Sequence, residues 1–68
     1  MSPHLYHFTL VNFGGDVIRK CSYEYERPHS AVARAFRLFW ETDHCSAVLI
    51  ESDWGFNMNL EWGVWKSF

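Results

Sequence analysis

The sequence predicts an α+β fold in which two β-strands, one helix and two further strands follow one another, an order written ββαββ. Two patterns predict it. Extended segments alternate apolar and polar residues, as the two faces of a strand do, and one segment between them repeats its apolar residues with the period of a helix. Short clusters of Gly, Pro, Asp and Ser separate the segments, where turns are expected. A chain of 68 residues suffices for one domain, and we assign residues 1–68 to it.

The first two strands are predicted to form a hairpin. Residues 4–13 alternate, with Tyr6, Phe8 and Leu10 on one face, and residues 17–26 alternate in the same way. A Gly-Gly-Asp sequence lies between them, and glycine supplies the positive φ that a tight hairpin turn needs. Two such strands separated by a short turn pair antiparallel.

An amphipathic helix is predicted over residues 31–42. Pro28 ends the second strand, and Ser30 is expected to cap the helix because its hydroxyl accepts from a free backbone N–H. At 100° per residue, the stripe expected to face the sheet contains Val32, Ala35, Phe36, Phe39 and Trp40. The opposite stripe contains Arg34, Arg37 and Glu41.

The last two strands are predicted over residues 46–50, a continuous apolar run, and residues 56–65, which alternate. In the second of these, Trp62 is expected on the helix side and Trp65 on the other. A right-handed helical connection makes the third strand parallel to the second. The simplest result is a four-stranded antiparallel sheet in the order 2-1-3-4, with the helix on one face and the other face open.

Composition and charge exclude several classes of protein. A content of 49% hydrophobic and 19% aromatic residues excludes a disordered chain, and a net charge of −2 lacks the basic footprint of a nucleic-acid binder. After Arg37 the chain has five acids and a single base, Lys66, so this half suits a basic protein surface. No apolar run approaches about 20 residues, and the N-terminus does not have the pattern of a signal peptide. We expect a cytoplasmic protein without a membrane partner.

Two tryptophans suggest a contact surface for a protein partner. Trp54 lies in a predicted turn, and Trp65 is expected on the open face of the sheet, while tryptophan is enriched at binding hot spots. The predicted partner-binding residues are Asp53, Trp54, Asn57, Asn59, Glu61 and Trp65. The alternative is that both tryptophans complete the core. The binding hypothesis predicts that Trp65→Ala folds and binds more weakly by on the order of 2 kcal/mol.

Two further kinds of binding remain open. Arg27, Arg34 and Arg37 on the exposed side of the helix form an alternative nucleic-acid-binding face, although a solvated helix surface is the commoner reason for such a pattern. A homodimer in which the open face meets its own copy is the other alternative.

Catalytic and metal-binding patterns are weak. His4 and His7 are spaced i, i+3 on a strand and therefore project to opposite faces. Cys21 and Cys45 do not have zinc-ligand spacing and are expected to be reduced thiols. Serine or cysteine adjoins histidine at positions 29–30 and 44–45, but without a strained elbow or a Gly-rich loop. We predict no enzyme, no metal, no cofactor and no small-molecule substrate.

These features together resemble a known group of proteins. A short, acidic, aromatic-rich ββαββ chain without a catalytic motif resembles the small anti-CRISPR and other anti-defence proteins of phages and mobile elements. It is also similar in size and element order to small immunity proteins that plug a toxin. The resemblance covers the whole chain at the level of architecture. It implies stoichiometric inhibition, in the cytoplasm of a bacterial host, of a larger protein such as a CRISPR effector whose basic, nucleic-acid-binding surface is occluded.

Overall fold

The structure, a computed structural model, describes residues 3–61 and the backbone of residues 64–67. Its elements in chain order are β1 (His4–Asn12), β2 (Val17–Tyr25), α1 (Pro28–Glu41), β3 (Cys45–Ser52), β4 (Asn57–Glu61) and β5 (Val64–Ser67). The described helix, α1, has 14 residues, and no described helix is long and apolar enough to cross a membrane.

The strands form one sheet in the order β2-β1-β3-β4-β5, in which each strand is antiparallel to its neighbours. The predicted α+β class, the single helix and the 2-1-3-4 order of the first four strands are confirmed. β2 and β3 run in the same direction on either side of β1. A helix joins them because parallel strands need a crossover connection longer than a turn.

A fifth strand is the main difference from the predicted sheet. The single strand predicted over residues 56–65 is two strands, since β4 ends at Glu61 and β5 begins at Val64. The two pair antiparallel, with Glu61 opposite Val64 and Leu60 opposite Trp65. Apolar and polar residues alternate on both sides of the break, so the sequence pattern does not reveal it.

The core lies between α1 and the face of the sheet that it covers. Tyr6, Phe8 and Leu10 of β1 are fully buried there, as the alternation of β1 predicts. The apolar side chains that meet them and are also fully buried are Ala31, Ala35, Leu38, Val48, Ile50 and Leu60. Burying each large aliphatic side chain contributes about 1.5–3 kcal/mol, so this layer supplies most of the stabilisation of the fold.

The helix is rotated toward Ala31 and Leu38 relative to its predicted orientation, although Ala35 is buried and Val32 and Phe39 pack against the core, as predicted. Its buried residues are Ala31, Ala35 and Leu38, whereas Phe36 and Trp40 are 40% and 68% exposed. Two alanines one turn apart let the helix backbone lie close to the sheet, and Leu38 fills the space beyond them. Phe36 and Trp40 lie outside this buried stripe, so their predicted burial is wrong.

The helix also begins earlier than predicted. Arg27 occupies the N-cap position with extended backbone angles and no side-chain cap, and Pro28 lies in the first turn. Proline is favoured there because its φ suits the helix and its missing N–H would have no partner in the first turn. Ser30 lies inside this turn, where its N–H donates to the Arg27 carbonyl at 3.2 Å, so it is not the cap.

Candidate partner-binding surfaces

Trp54 lies in the turn between β3 and β4 and is held against the helix-covered face of the sheet. Its ring stacks on Phe56, with centroids 5.5 Å apart and an angle of 28° between the planes. Its Nε1 donates to the hydroxyl of the fully buried Tyr6 at 3.1 Å. The side chain nevertheless stays 47% exposed. Trp54 therefore packs on the core. The same contacts fix the position of the part of its ring that stays exposed to solvent.

Asp53, next to Trp54, is exposed and faces His4. The Asp53 Oδ1 and His4 Nδ1 atoms are 3.4 Å apart, a distance that makes an ion pair when the imidazole is protonated. The His4 ring also lies 5.9 Å from the Trp54 ring, between centroids. Two of the predicted partner-binding residues therefore lie together at the end of the sheet where β1 begins.

The other predicted residues of β4 lie on the opposite face of the sheet. Asn57, Asn59 and Glu61 are paired in register with β3 residues that face away from the helix, namely Glu51, Leu49 and Ala47. Asn57 is exposed, but Asn59 is only 8% exposed and donates from Nδ2 to Glu61 Oε1 at 2.8 Å. Asn59 is therefore a buried residue of the sheet and presents little surface to a partner. The structure therefore separates the Trp54 turn from the β4 residues and does not form one patch from them.

Trp65 lies in β5, and its side chain is outside the described residues. Its predicted position beside Asn57, Asn59 and Glu61 assumed one unbroken strand. β4 ends at Glu61 and Trp65 lies in a separate strand, so the alternation along β4 does not determine the face on which Trp65 lies. The predicted effect of Trp65→Ala on binding remains a prediction.

The predicted nucleic-acid face is largely occupied by contacts within the protein. The Arg34 guanidinium lies 4.7 Å from the centroid of the Tyr23 ring, and its Nε donates to the Tyr25 hydroxyl at 2.8 Å. The hydrogen bond to Tyr25 raises the pKa of Arg34. Arg37 donates from Nε to Glu41 Oε1 at 2.9 Å, in the i, i+4 geometry of helical ion pairs. Of the three arginines, Arg27 at the helix N-cap has no side-chain hydrogen bond or ion pair with another described residue.

A surface that the sequence analysis missed lies where α1 ends and β1 turns into β2. Its most exposed side chains are Trp40 and Phe13, at 68% and 60%, followed by Phe36 at 40%. The Trp40 ring packs edge-on against Phe39 at 5.2 Å and lies 6.1 Å from Phe36, between centroids. We call Phe13, Phe36, Phe39 and Trp40 the helix-end surface. Ala31, Ala35 and Leu38 also share one helix face by their spacing. This alternative face is the sequence signal that would have indicated the exposure of Trp40.

A cleft of about 400 Å³ opens in this surface. Phe13, Phe39 and Trp40 form its apolar wall, and Thr42, Asp43, His44 and Cys45 line the rest. His44 has a φ of 63°, which turns the chain sharply from the helix into β3. Burial raises the pKa of the Cys45 thiol, which disfavours the thiolate form of its sulfur.

One hydrogen-bonded pair of histidine and serine lies on the open face of the sheet. His7 Nδ1 and Ser22 Oγ share a hydrogen bond of 2.8 Å on the open face of the sheet, but both side chains are exposed on regular strands. No set of three or more His, Cys, Asp or Glu side chains among the described residues is arranged to hold a metal ion. Comparison with protein families, with curated proteins and with solved structures found no match for this chain.

Proposed function

We propose that this protein is a non-catalytic binding module that inhibits a larger protein by covering a basic, nucleic-acid-binding surface of its target. This is the mode of action implied by its resemblance to anti-CRISPR and other anti-defence proteins. In that role it acts in the cytoplasm of a bacterial host, as a stoichiometric inhibitor. The helix-end surface is the contact that we assign to it.

The observation that supports binding is the exposure of Trp40. A tryptophan that is 68% exposed leaves most of a large apolar surface in water, beside the exposed Phe13 and the cleft between them. A contiguous apolar patch of this kind is typical of a site for another protein. Tryptophan is also among the residues that contribute most to binding when a partner buries them.

The charges around the cleft favour a basic partner. Asp43 lines the cleft, is exposed, and has no ion pair with another described residue. Of the charged residues after Arg37, five are acids and one is a base. Acids at the rim of an apolar contact accelerate encounter with a positive surface and disfavour other partners.

The alternative, nucleic-acid binding through Arg27, Arg34 and Arg37, has less support. Phosphate contacts would compete with the hydrogen bond from Arg34 to Tyr25 and with the ion pair between Arg37 and Glu41. Nucleic-acid binding is therefore one possible outcome of capturing partners from a lysate.

The binding surface is tested by capturing partners with tagged protein from a nuclease-treated bacterial lysate. We expect a defined protein to be held by the wild type and lost with Trp40→Ala, because truncating a hot-spot tryptophan weakens binding by about 2 kcal/mol or more. Leu5→Ala is the matched control, since Leu5 is 37% exposed on the open face of the sheet. Circular dichroism checks that each variant is folded.

The variants distinguish three results. Retention of the partner by Trp40→Ala and its loss with Trp54→Ala would move the contact to the Trp54 turn. Capture of nothing from the nuclease-treated lysate, but of nucleic acid from an untreated one and not with Arg27→Ala, would replace the proposal with the arginine face. With a partner in hand, its binding of nucleic acid should fall to zero at about one equivalent of this protein, and unchanged binding would exclude the inhibitory role.

A further inference from the structure

The free edge of the sheet at β2 carries charges that no other described residue neutralises. β2 has nine residues, none of them buried, and pairs only with β1 within the described part of the chain. Lys20 and Glu24 lie opposite Thr9 and Leu5 of β1, and neither forms an ion pair with another described residue. A long edge strand presents unpaired backbone N–H and C=O groups to any strand that can align with it.

When two copies of β2 are aligned antiparallel, basic residues of one copy lie opposite acidic residues of the other. We propose that β2 pairs antiparallel with β2 of a second copy of this chain, about a two-fold axis that passes through Ser22. In this register Lys20 lies opposite Glu24 of the partner subunit on the open face of the sheet. By symmetry, Glu24 lies opposite Lys20 of the partner subunit. Each dimer therefore gains two cross-strand ion pairs, and residues directly opposite in an antiparallel pair are near enough to interact.

The remaining pairs in this register are compatible with a close approach. Cys21 lies opposite Tyr23 of the partner subunit, and sulfur packs favourably on aromatic rings. The two Ser22 hydroxyls, each hydrogen-bonded to His7 of its own chain, meet on the axis, where one is able to donate to the other. Arg19 lies opposite Tyr25 of the partner subunit, whose hydroxyl already accepts from its own Arg34. The ion pairs on the open face, rather than this contact, select the register.

Other two-fold axes through β2 are less favourable. An axis through Cys21 places Lys20 opposite Ser22 and forms no ion pair. An axis through Lys20 or Glu24 places two like charges in contact, which is destabilising. An axis through Tyr23 opposes Lys20 and Glu26, but Glu26 lies beyond the end of β2, and the same axis apposes the like charges of Arg19 and Arg27. The allowed axes all pass through a residue and not between two residues, because backbone groups that point outward must meet groups that point outward.

Such a dimer joins two sheets into one continuous sheet and covers both β2 edges. A two-fold interface uses the same surface on both copies, so one strand with this arrangement of charge is sufficient for it. The helix-end surface lies on α1 and at the β1–β2 turn and is not part of this contact. The proposal therefore does not rest on the proposed function.

Charge reversal tests the register directly. At high concentration we expect wild-type protein to sediment as a dimer, with twice the 8.1 kDa mass of the chain. Lys20→Glu alone and Glu24→Lys alone should each raise the dissociation constant about tenfold or more, because each replaces two attractions by two repulsions. An equimolar mixture of the two variants should recover a mixed dimer, since every opposed pair in it is again of opposite sign. The double variant Lys20→Glu, Glu24→Lys should recover wild-type assembly.

Sedimentation velocity over a range of concentrations separates the outcomes. Both substituted positions are exposed and unpaired in the monomer, so circular dichroism should show unchanged folding. Wild-type protein that stays monomeric at about 0.5 mM, well above the dissociation constants of specific complexes, overturns the proposal. So does a dimer that is indifferent to both reversals, which would place the contact on another surface. A mixture that assembles no better than either variant alone excludes the axis at Ser22.

Discussion

At the scale of single residues, two tryptophans show how the surroundings of a side chain decide its role. Trp54 donates to Tyr6 and stacks on Phe56, so about half of its surface stabilises the fold. Trp40 makes only ring contacts among the described residues and leaves 68% of its surface in water. The first is held in place by the core, and the second is available to a partner.

The hydrogen bond between Trp54 and Tyr6 gives a prediction at this scale. Tyr6→Phe removes the acceptor of the Trp54 N–H and should lower the free energy of unfolding by about 0.5–1.5 kcal/mol, measured by urea denaturation. The cost is modest because the partly exposed indole can still bond to water. Tyr25→Phe is the matched control. It removes the hydroxyl that accepts from the half-buried Arg34, and we expect a smaller effect. Equal losses in the two variants would contradict this account.

At the scale of elements, the orientation of α1 depends on how closely it approaches the sheet. The stripe that contains Ala31, Ala35 and Leu38 is less hydrophobic by composition than the stripe that contains Phe36 and Trp40. It is nevertheless the buried one. Small residues bring the helix close enough for β-sheet side chains to fill the interface, which gives denser packing than large rings facing one another.

Two alanine substitutions on the helix test this orientation. Leu38→Ala should lower the free energy of unfolding by about 2–5 kcal/mol, because it opens a cavity in the core. Phe36→Ala removes a larger side chain but should cost less than about 1 kcal/mol, because that side chain is partly exposed. Urea denaturation followed by circular dichroism measures both. The reverse ranking would mean that the helix faces the sheet with its aromatic stripe.

At the scale of the whole molecule, the two proposed contacts differ in chemistry and in place. The helix-end surface is apolar, with Asp43 lining its cleft, whereas the β2 edge is polar and complementary to itself. They use different parts of the molecule, so dimerisation through β2 leaves one helix-end surface on each copy. A dimer that inhibits a target would then present two contact sites.

Thermal unfolding gives a prediction at this scale. If β2 pairs with a second copy, the Tm of the wild type should rise with protein concentration, because association stabilises the folded state by mass action. Lys20→Glu should show a Tm that does not depend on concentration over the same range. Differential scanning calorimetry at several concentrations measures both. A concentration-independent wild-type Tm would argue against a dimer of folded chains.

The sequence by itself determined the class of the fold and the order of its first four strands. Alternation, the helical period and the turn residues are local signals, and strand order follows from the short connections and the handedness of the crossover. The same signals correctly placed Tyr6, Phe8 and Leu10 on one face of β1, and the structure buries that face under the helix.

Only the tertiary structure decided which faces and ends meet. The break after Glu61 is invisible to alternation, and the rotation of α1 depends on the gap between helix and sheet. The division of the predicted patch follows from the same cause, because Trp54 folds onto Tyr6 while Asn57 lies on the other face. Sequence patterns specify the environment that a residue prefers, but competition among residues for a limited buried volume decides which of them obtains it.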